Sequence, residues 1–461
     1  MITKEAVVLI YDNGSSCELA RLLVPKFKKV YYFTPWTQSG FPDYNPRFIG
    51  VGIPGVEKVE DLWKVIDNET VDLIIFTDVY DGDLADHLRK IGKHVVSSFY
   101  GKKFELDRSY LQEFLKSKGL PVNDFTPIKG ITKLREYLKD KEKKFIKISN
   151  LRGITETMQY INERISASEL DDISYRLGDL REQIEFLVQD PIGDDDMVEF
   201  GCDTFFAGGK FAENMLCGIE TKDCSYTAKF INIKDVPEPI KVINTAFTEA
   251  FSAVGYQQHF STEIRYGKEK KPYFIDSTCR MPHPPVELMQ YMYENIADIY
   301  MGLGMGQIVE PITKYKFGVQ VIIHSEFSED HFISVEIHEK YRNNVFLKNY
   351  VVIDGVPRVI PQPYKLQEIG AVVACGNTLE EAIENVKGII GDVKTRHLDF
   401  PSDKLDEVFD HIELMDKLGV NFYSDKPTAP AKEPEKEPEE KKPEPIVVPA
   451  KVNRFLKTIT R

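Results

Sequence analysis

Short apolar strands alternating with amphipathic helical stretches over the first hundred residues constrain this chain more than any other feature. AVVLIY is followed by CELARLLVPKF, KVYYFTP, VEDLWKVID, VDLIIFTD, DLADHLRKIG and HVVSSF. Strands that are apolar throughout, with helices between them, belong to a parallel sheet covered on both faces. Residues 1–104 are therefore expected to form an α/β domain. Ligands of such sheets bind in loops at the carboxyl ends of the strands. Two loops meet that description, YDNGSS at 11–16 and TDVYD at 77–81, making Asn13, Gly14, Ser15 and Asp78 candidate substrate contacts.

Beyond residue 104 the pattern changes. RSYLQEFLKSKG reads as a helix closing at Gly119, TKLREYLKD as another, and KFIKIS as a short strand. The middle third mixes strands such as EFLVQD, MVEFGCDTFFA and KFAENML with the helix EPIKVINTAFTEAFSAVG, an α+β arrangement. From about 313 to 424, FGVQVIIHS, YVVIDGV and IGAVVACG lead to a helix in TLEEAIENVKGIIG, capped by Asn377 or Thr378. The 461 residues are enough for several cores. Residues 425–450 are mostly Pro, Glu and Lys, the composition of a disordered, partly polyproline linker. In the closing AKVNRFLKTITR, Val452, Phe455, Leu456 and Ile459 fall on one helical face. A docking peptide for a protein partner and an unengaged tail both fit that segment.

The net charge of −14 opposes nonspecific association with nucleic acid or anionic membranes. The longest apolar runs are strand-length, and the N-terminus lacks the pattern of a signal peptide, so a cytoplasmic protein is expected. Cys17, Cys202, Cys217, Cys224, Cys279 and Cys375 form no CxxC or Cys/His cluster and are expected as reduced structural thiols. The chain contains no Gx4GK[ST] phosphate loop, GxSxG elbow or HExxH.

The segment STEIRYGKEKKPYFIDSTCR carries the densest chemistry. Strand-like FSTEIRY and PYFID flank the polar turn GKEKK, so a hairpin brings Glu263 and Asp276 to one side, with Thr278 and Arg280 following at strand period. Two carboxylates and a hydroxyl suit Mg²⁺, and Arg280 suits a phosphate or carboxylate. A solvated hairpin with ordinary surface charges remains open on this segment alone.

Over roughly residues 1–424 these motifs together resemble the ATP-grasp superfamily, and within it phosphoribosylamine–glycine ligase and its relatives. The family's last hairpin ends in acidic-x-Asn-x-Arg after an earlier acidic or amide ligand. Glu263, Asp276, Thr278 and Arg280 stand at these positions, with aspartate for glutamate and threonine for asparagine. The resemblance implies Glu263, Asp276 and Thr278 as ligands of Mg²⁺, or of Mn²⁺, with Arg280 catalytic. KFIKIS resembles the lid strand whose lysine reaches the ATP phosphates, which gives Lys147 a catalytic and nucleotide-binding role. SNLRGITET would follow as the phosphate loop, with Gly153 admitting close backbone approach and Arg152 adding charge. Arg108 stands where a second family lysine precedes the first helix. EFLVQDPIGDDDMVEFG resembles the hinge, with backbone groups of Leu187 and Val188 toward adenine, Gln189 and Asp190 beside it, and Glu199 on the ribose. CGIETKDCSY places Glu220 and Lys222 near the substrate. Asp194, Asp195 and Asp196 read as a solvated turn. For His259 and His283 a catalytic base is weighed against a hydrogen-bonded structural histidine, and the structural reading is preferred.

The architecture so implied is α/β and α+β multidomain. A Rossmann-like substrate domain (1–104) precedes an ATP-grasp domain with lid and catalytic subdomains (105–312). A small C-terminal α/β domain (313–424), the linker (425–450) and the terminal peptide (451–461) follow. The implied activity is ATP-dependent joining of a small-molecule carboxylate to an amine through an acyl-phosphate. Its specific form would be phosphoribosylamine–glycine ligase of purine synthesis, and the alternative a degenerate relative that binds nucleotide or a partner without turnover.

Overall fold

The computed structural model describes residues 2–35, 46–68, 70–151, 156–193, 196–361, 367–393 and 395–423. Arg152, Gly153, Asp194, Asp195, the linker and the terminal peptide lie outside these residues.

The N-terminal sheet is parallel throughout, in the order Val56–Val59, Lys29–Phe33, Val7–Tyr11, Leu73–Phe76, His94–Val96. Its faces separate by the two-residue strand period. Leu9, Tyr31 and Ile74 point into a core closed by Leu62, Ile66 and Leu88 of the covering helices. Val8, Ile10 and Tyr32 point the other way, into the large core shared with the rest of the molecule. The helix expected from Val59 starts at Leu62, and Val56–Val59 is an edge strand. Its Glu57 and Lys58 broke the apolar run by which the other strands were read.

A four-stranded sheet with its own core forms a separate layer, in the order Phe125–Lys129, Glu185–Gln189, Lys144–Ile148, Thr157–Tyr160. Helices Ile131–Leu138 and Glu163–Leu177 cover it. The latter begins at Asn162, whose side chain accepts from the backbone of Arg164 and Ile165.

The central sheet runs Tyr273–Thr278, Gln258–Tyr266, Val198–Ala207, Asn214–Thr221, Ser225–Asn232, Phe317–His324, Glu368–Gly376, Val345–Leu347. It passes unbroken from the middle third into the C-terminal third, because Ser225–Asn232 pairs with Phe317–His324. Helix Leu379–Asp392 packs on its far end, capped by the Thr378 hydroxyl. Cys202 and Cys217 are direct cross-strand partners, 4.1 Å apart at Cα, and are disulfide-bonded. This corrects the expectation of six reduced thiols: register across two strands, absent from the linear spacing, brought the pair together. Among the described residues no helix is long and apolar enough to cross a membrane.

Candidate active site

The floor of the site is one row across four strands of the central sheet. Asp276 lies opposite Glu263, Glu263 opposite Gly201, and Gly201 opposite Gly218. Residues two positions along a strand return to the same face, which adds Glu199, Glu220 and Thr278 to that side. Burial, then repulsion from Glu220, Glu199 and Asp276, pushes the Glu263 carboxyl well above the ordinary range. Burial, then Glu199 and Asp203, raises Glu220 against the opposing pull of Lys222. Carboxylates held this close favour either a proton or a cation between them.

Among the described residues no three His, Cys, Asp or Glu side chains converge on one point. The set that could hold a cation is the facing carboxylate pair Glu263 and Asp276, with Thr278 two residues along the same strand. That set fits Mg²⁺, which is usually bound through one or two carboxylates, substrate phosphates and water rather than by an all-protein cage.

These residues line a cavity of about 2000 Å³ between the central sheet, the four-stranded layer and the N-terminal loops. A single small-molecule site takes about 300–1,000 Å³, so this space has room for more than one small molecule. Lys147, from the four-stranded layer, reaches the hairpin and donates to the Ile275 carbonyl at 2.7 Å. A local irregularity explains that acceptor. Glu263 pairs with Asp276 but Ile264 pairs with Phe274, leaving Ile275 as the extra residue of a bulge. Burial lowers the Lys147 ammonium from its ordinary value, and Asp276 opposes that shift.

Arg280 enters the same cavity. Its Nε donates to Glu105 Oε1 at 2.9 Å, with Asp78 at 3.7 Å. Glu105 is fully buried and its other oxygen accepts from the Cys279 backbone. At the mouth of the N-terminal sheet, Asn13 donates to Asp78 and accepts from Ser15. Buried Asp12 fixes the turn by accepting from the Gly14 and Ser16 backbone and from Tyr32 and Thr77.

Asn13, Ser15, Asp78, Lys147, Gln189, Asp190, Glu199, Glu220, Lys222, Glu263, Asp276, Thr278 and Arg280 all line this cavity. Among the described residues, the candidates Arg108, Gly14, Leu187 and Val188 do not line it. Arg108, expected beside phosphate, is 2% exposed; its Nη1 donates to Asp276 at 2.5 Å, and Glu156 lies 3.5 Å from Nη2. Arg108 is the first residue of the helix that Asp107 caps, buried between these two carboxylates. Gly14 has φ +110°, and a Cβ there would sit 2.0 Å from Asn349 Oδ1, so it permits close docking of the loop on residue 349. Leu187 and Val188 are flanked on both edges by paired strands. Their backbone groups serve the sheet, and Gln189, Asp190 and Ile192 are the residues of this stretch that reach the cavity. Asp190 is also ion-paired with Lys144.

Sequence reasoning missed Glu105, Glu156 and Lys348. Lys348 lines the cavity and pairs with Glu368, with Glu287 at 3.9 Å. None sits in a recognisable motif. His259 is fully buried against Tyr300, as a structural histidine, whereas His283 lines the cavity and its four-residue spacing to Glu287 was the available signal.

No protein-family model matches the chain, and no curated protein matches its sequence. Solved structures do match. Phosphoribosylamine–glycine ligase from Thermotoga maritima superposes with a TM-score of 0.62 at 13% identity, covering 86% of this chain and 99% of that one. The biotin carboxylase domain of the Hydrogenobacter thermophilus 2-oxoglutarate carboxylase, solved with MgADP, ADP and bicarbonate, gives 0.62 at 12% identity over 89% of this chain and 98% of that one. The L-amino acid ligase from Bacillus licheniformis gives 0.56 at 11% identity over 86% and 100%.

Proposed function

On the ATP-grasp fold that these structures share with it, we propose that the chain is an ATP-dependent carboxylate–amine ligase working through an acyl-phosphate. The observation that carries the reading is the convergence of Lys147, Arg280 and the Glu263–Asp276 pair, from separate parts of the chain, on one cavity. Lys147 is positioned for the ATP phosphates, an ammonium being a compact charge suited to them. Glu263, Asp276 and Thr278 would hold Mg²⁺, which when bound neutralises phosphate charge. Arg280, steadied by Glu105 and Asp78, stabilises the charge that develops as a substrate carboxylate attacks the γ-phosphorus. ADP and an acyl-phosphate result. An amine then forms the C–N bond and displaces phosphate, while the layer carrying Lys147 and Glu156 keeps water from the reactive anhydride.

Phosphoribosylamine–glycine ligase, a purine-synthesis activity, is the specific member that the hairpin and lid-strand motifs point to, and glycine with phosphoribosylamine is the first substrate pair to test. The screen uses the full chain with ATP and Mg²⁺, and Mn²⁺ in parallel. It measures ADP released with glycine and each other α-amino acid as carboxylate, with hydroxylamine, phosphoribosylamine or a second amino acid as nucleophile. Carboxylate-dependent ADP and hydroxamate are the expected products. Nucleotide binding without any carboxylate-dependent ADP would refute the ligase and favour a protein that binds nucleotide without turnover.

A further inference from the structure

Next to Arg280 the chain builds a carboxylate–imidazole–hydroxyl series. His283 Nδ1 lies 2.7 Å from Glu287 Oε1, and His283 Nε2 lies 3.1 Å from Ser16 Oγ. Glu287 is 4% exposed, and its second oxygen accepts from Gln320 at 2.8 Å. Burial alone would raise this carboxyl, but His283 and Lys348 oppose that shift, and with Gln320 donating to it the group is an acceptor. An acceptor at that position keeps the proton of a neutral imidazole on Nδ1 and leaves the lone pair on Nε2. His283 lines the cavity with Ser15, Arg280 and Lys348, its side chain 7% exposed. His259 is the contrast within the same molecule: it is fully buried, and its Nδ1 has no hydrogen-bond partner among the described residues.

We propose that His283 is the general base of the amine step, an assignment that rests on the ligase reading above. An amine that is protonated at neutral pH has no lone pair with which to attack. His283 Nε2 removes one proton from the ammonium. The freed pair forms the C–N bond to the acyl carbon, and the C–O bond to phosphate breaks with its electrons going to phosphate. The nitrogen's surplus proton leaves with the phosphate as hydrogen phosphate, and His283 later returns its own proton to solvent. Glu287, through Nδ1, holds the ring in register for this transfer.

Hydroxylamine separates the base role from the rest of the reaction, because it is uncharged at neutral pH and attacks an acyl-phosphate without help. His283→Gln in the full chain, assayed with ATP, Mg²⁺ and the amino acid giving the strongest hydroxamate signal, should form hydroxamate within about threefold of wild type. Amide formation, with the amino acid that serves wild type best as amine, should fall about 10²–10⁴-fold, the usual contribution of a general base. The loss should shrink as pH rises and more of the amine is unprotonated. A second variant, His283→Ala, should regain amide formation, but show no change in hydroxamate formation, when free imidazole is added. Equal loss of hydroxamate and amide, unchanged amide formation, or failure of imidazole to rescue would each overturn the assignment. Failure of the ligase reading is distinguishable, since it appears in wild type as absence of hydroxamate.

Discussion

Asp276 joins the proposed chemistry to the stability of the fold, and two substitutions at this position separate them. Its Oδ1 accepts from Arg108 Nη1 at 2.5 Å and from the Ser277 backbone at 3.0 Å, and Arg108 is 2% exposed. Asp276→Ala removes a carboxylate from a buried guanidinium, which typically destabilises by about 3–5 kcal/mol. Asp276→Asn retains an oxygen for both donors and loses the charge, so a smaller loss of about 1.5–3 kcal/mol is expected, the scale of a hydrogen bond to a charged group. Against a stability of about 5–15 kcal/mol, the asparagine variant stays folded at room temperature. Activity should not follow stability. Both variants remove the negative charge from the facing pair, and each should lower carboxylate-dependent ADP release by at least about 10²-fold. Urea unfolding followed by circular dichroism, alongside ADP release at saturating ATP, measures the two effects separately. Near-wild-type turnover by Asp276→Asn would refute the metal-pair assignment, and equal stability of the two variants would refute the account of Arg108.

Lys147→Met should weaken ATP binding measured by calorimetry and slow ADP release, with thermal stability close to wild type; unchanged affinity would remove Lys147 from the phosphate site. Gly14→Ala combines an unfavourable positive φ with a Cβ 2.0 Å from Asn349 Oδ1. It should destabilise by about 1 kcal/mol or more through the backbone alone, and an unaltered urea midpoint would show that the loop does not dock on Asn349. Burial, and secondarily His283, lowers His259 to about 3 from 6.5. The unfolded chain therefore takes up this proton first, and the stability contributed by neutral His259 is present above pH 6.5 and lost as pH falls toward 3. Asp203, raised to about 6 chiefly by burial, acts in the opposite direction between 3.8 and 6, which masks the effect in wild type. The stability difference between wild type and His259→Gln should consequently narrow by about 2 kcal/mol from pH 6.5 to 5. A constant difference over that range would contradict the buried neutral assignment.

What the sequence determined was local. The uniformly apolar strands and the helices between them specified a parallel N-terminal sheet, since residues two or four apart settle which face of an element is apolar. The same short-range alternation put Glu263 and Asp276 on facing strands, and KFIKIS put Lys147 on a strand, at positions the structure brings into one cavity. Gly14, expected as a substrate contact, instead lets its loop dock on Asn349.

The tertiary structure alone decided which distant side chains meet. Arg108 finds Asp276 168 positions away, Arg280 finds Glu105 175 away, and His283 finds Ser16 267 away. Lys348 comes to the cavity from a strand end in the C-terminal third, and Cys202 meets Cys217 through register. Leu187 and Val188 carry hinge-like sequence, yet sheet pairing on both edges occupies them. The physical reason is common to these cases. Periodicity encodes which face of one element is apolar, but which elements pack together, and in what register, is set by the summed burial and hydrogen bonding of the whole chain.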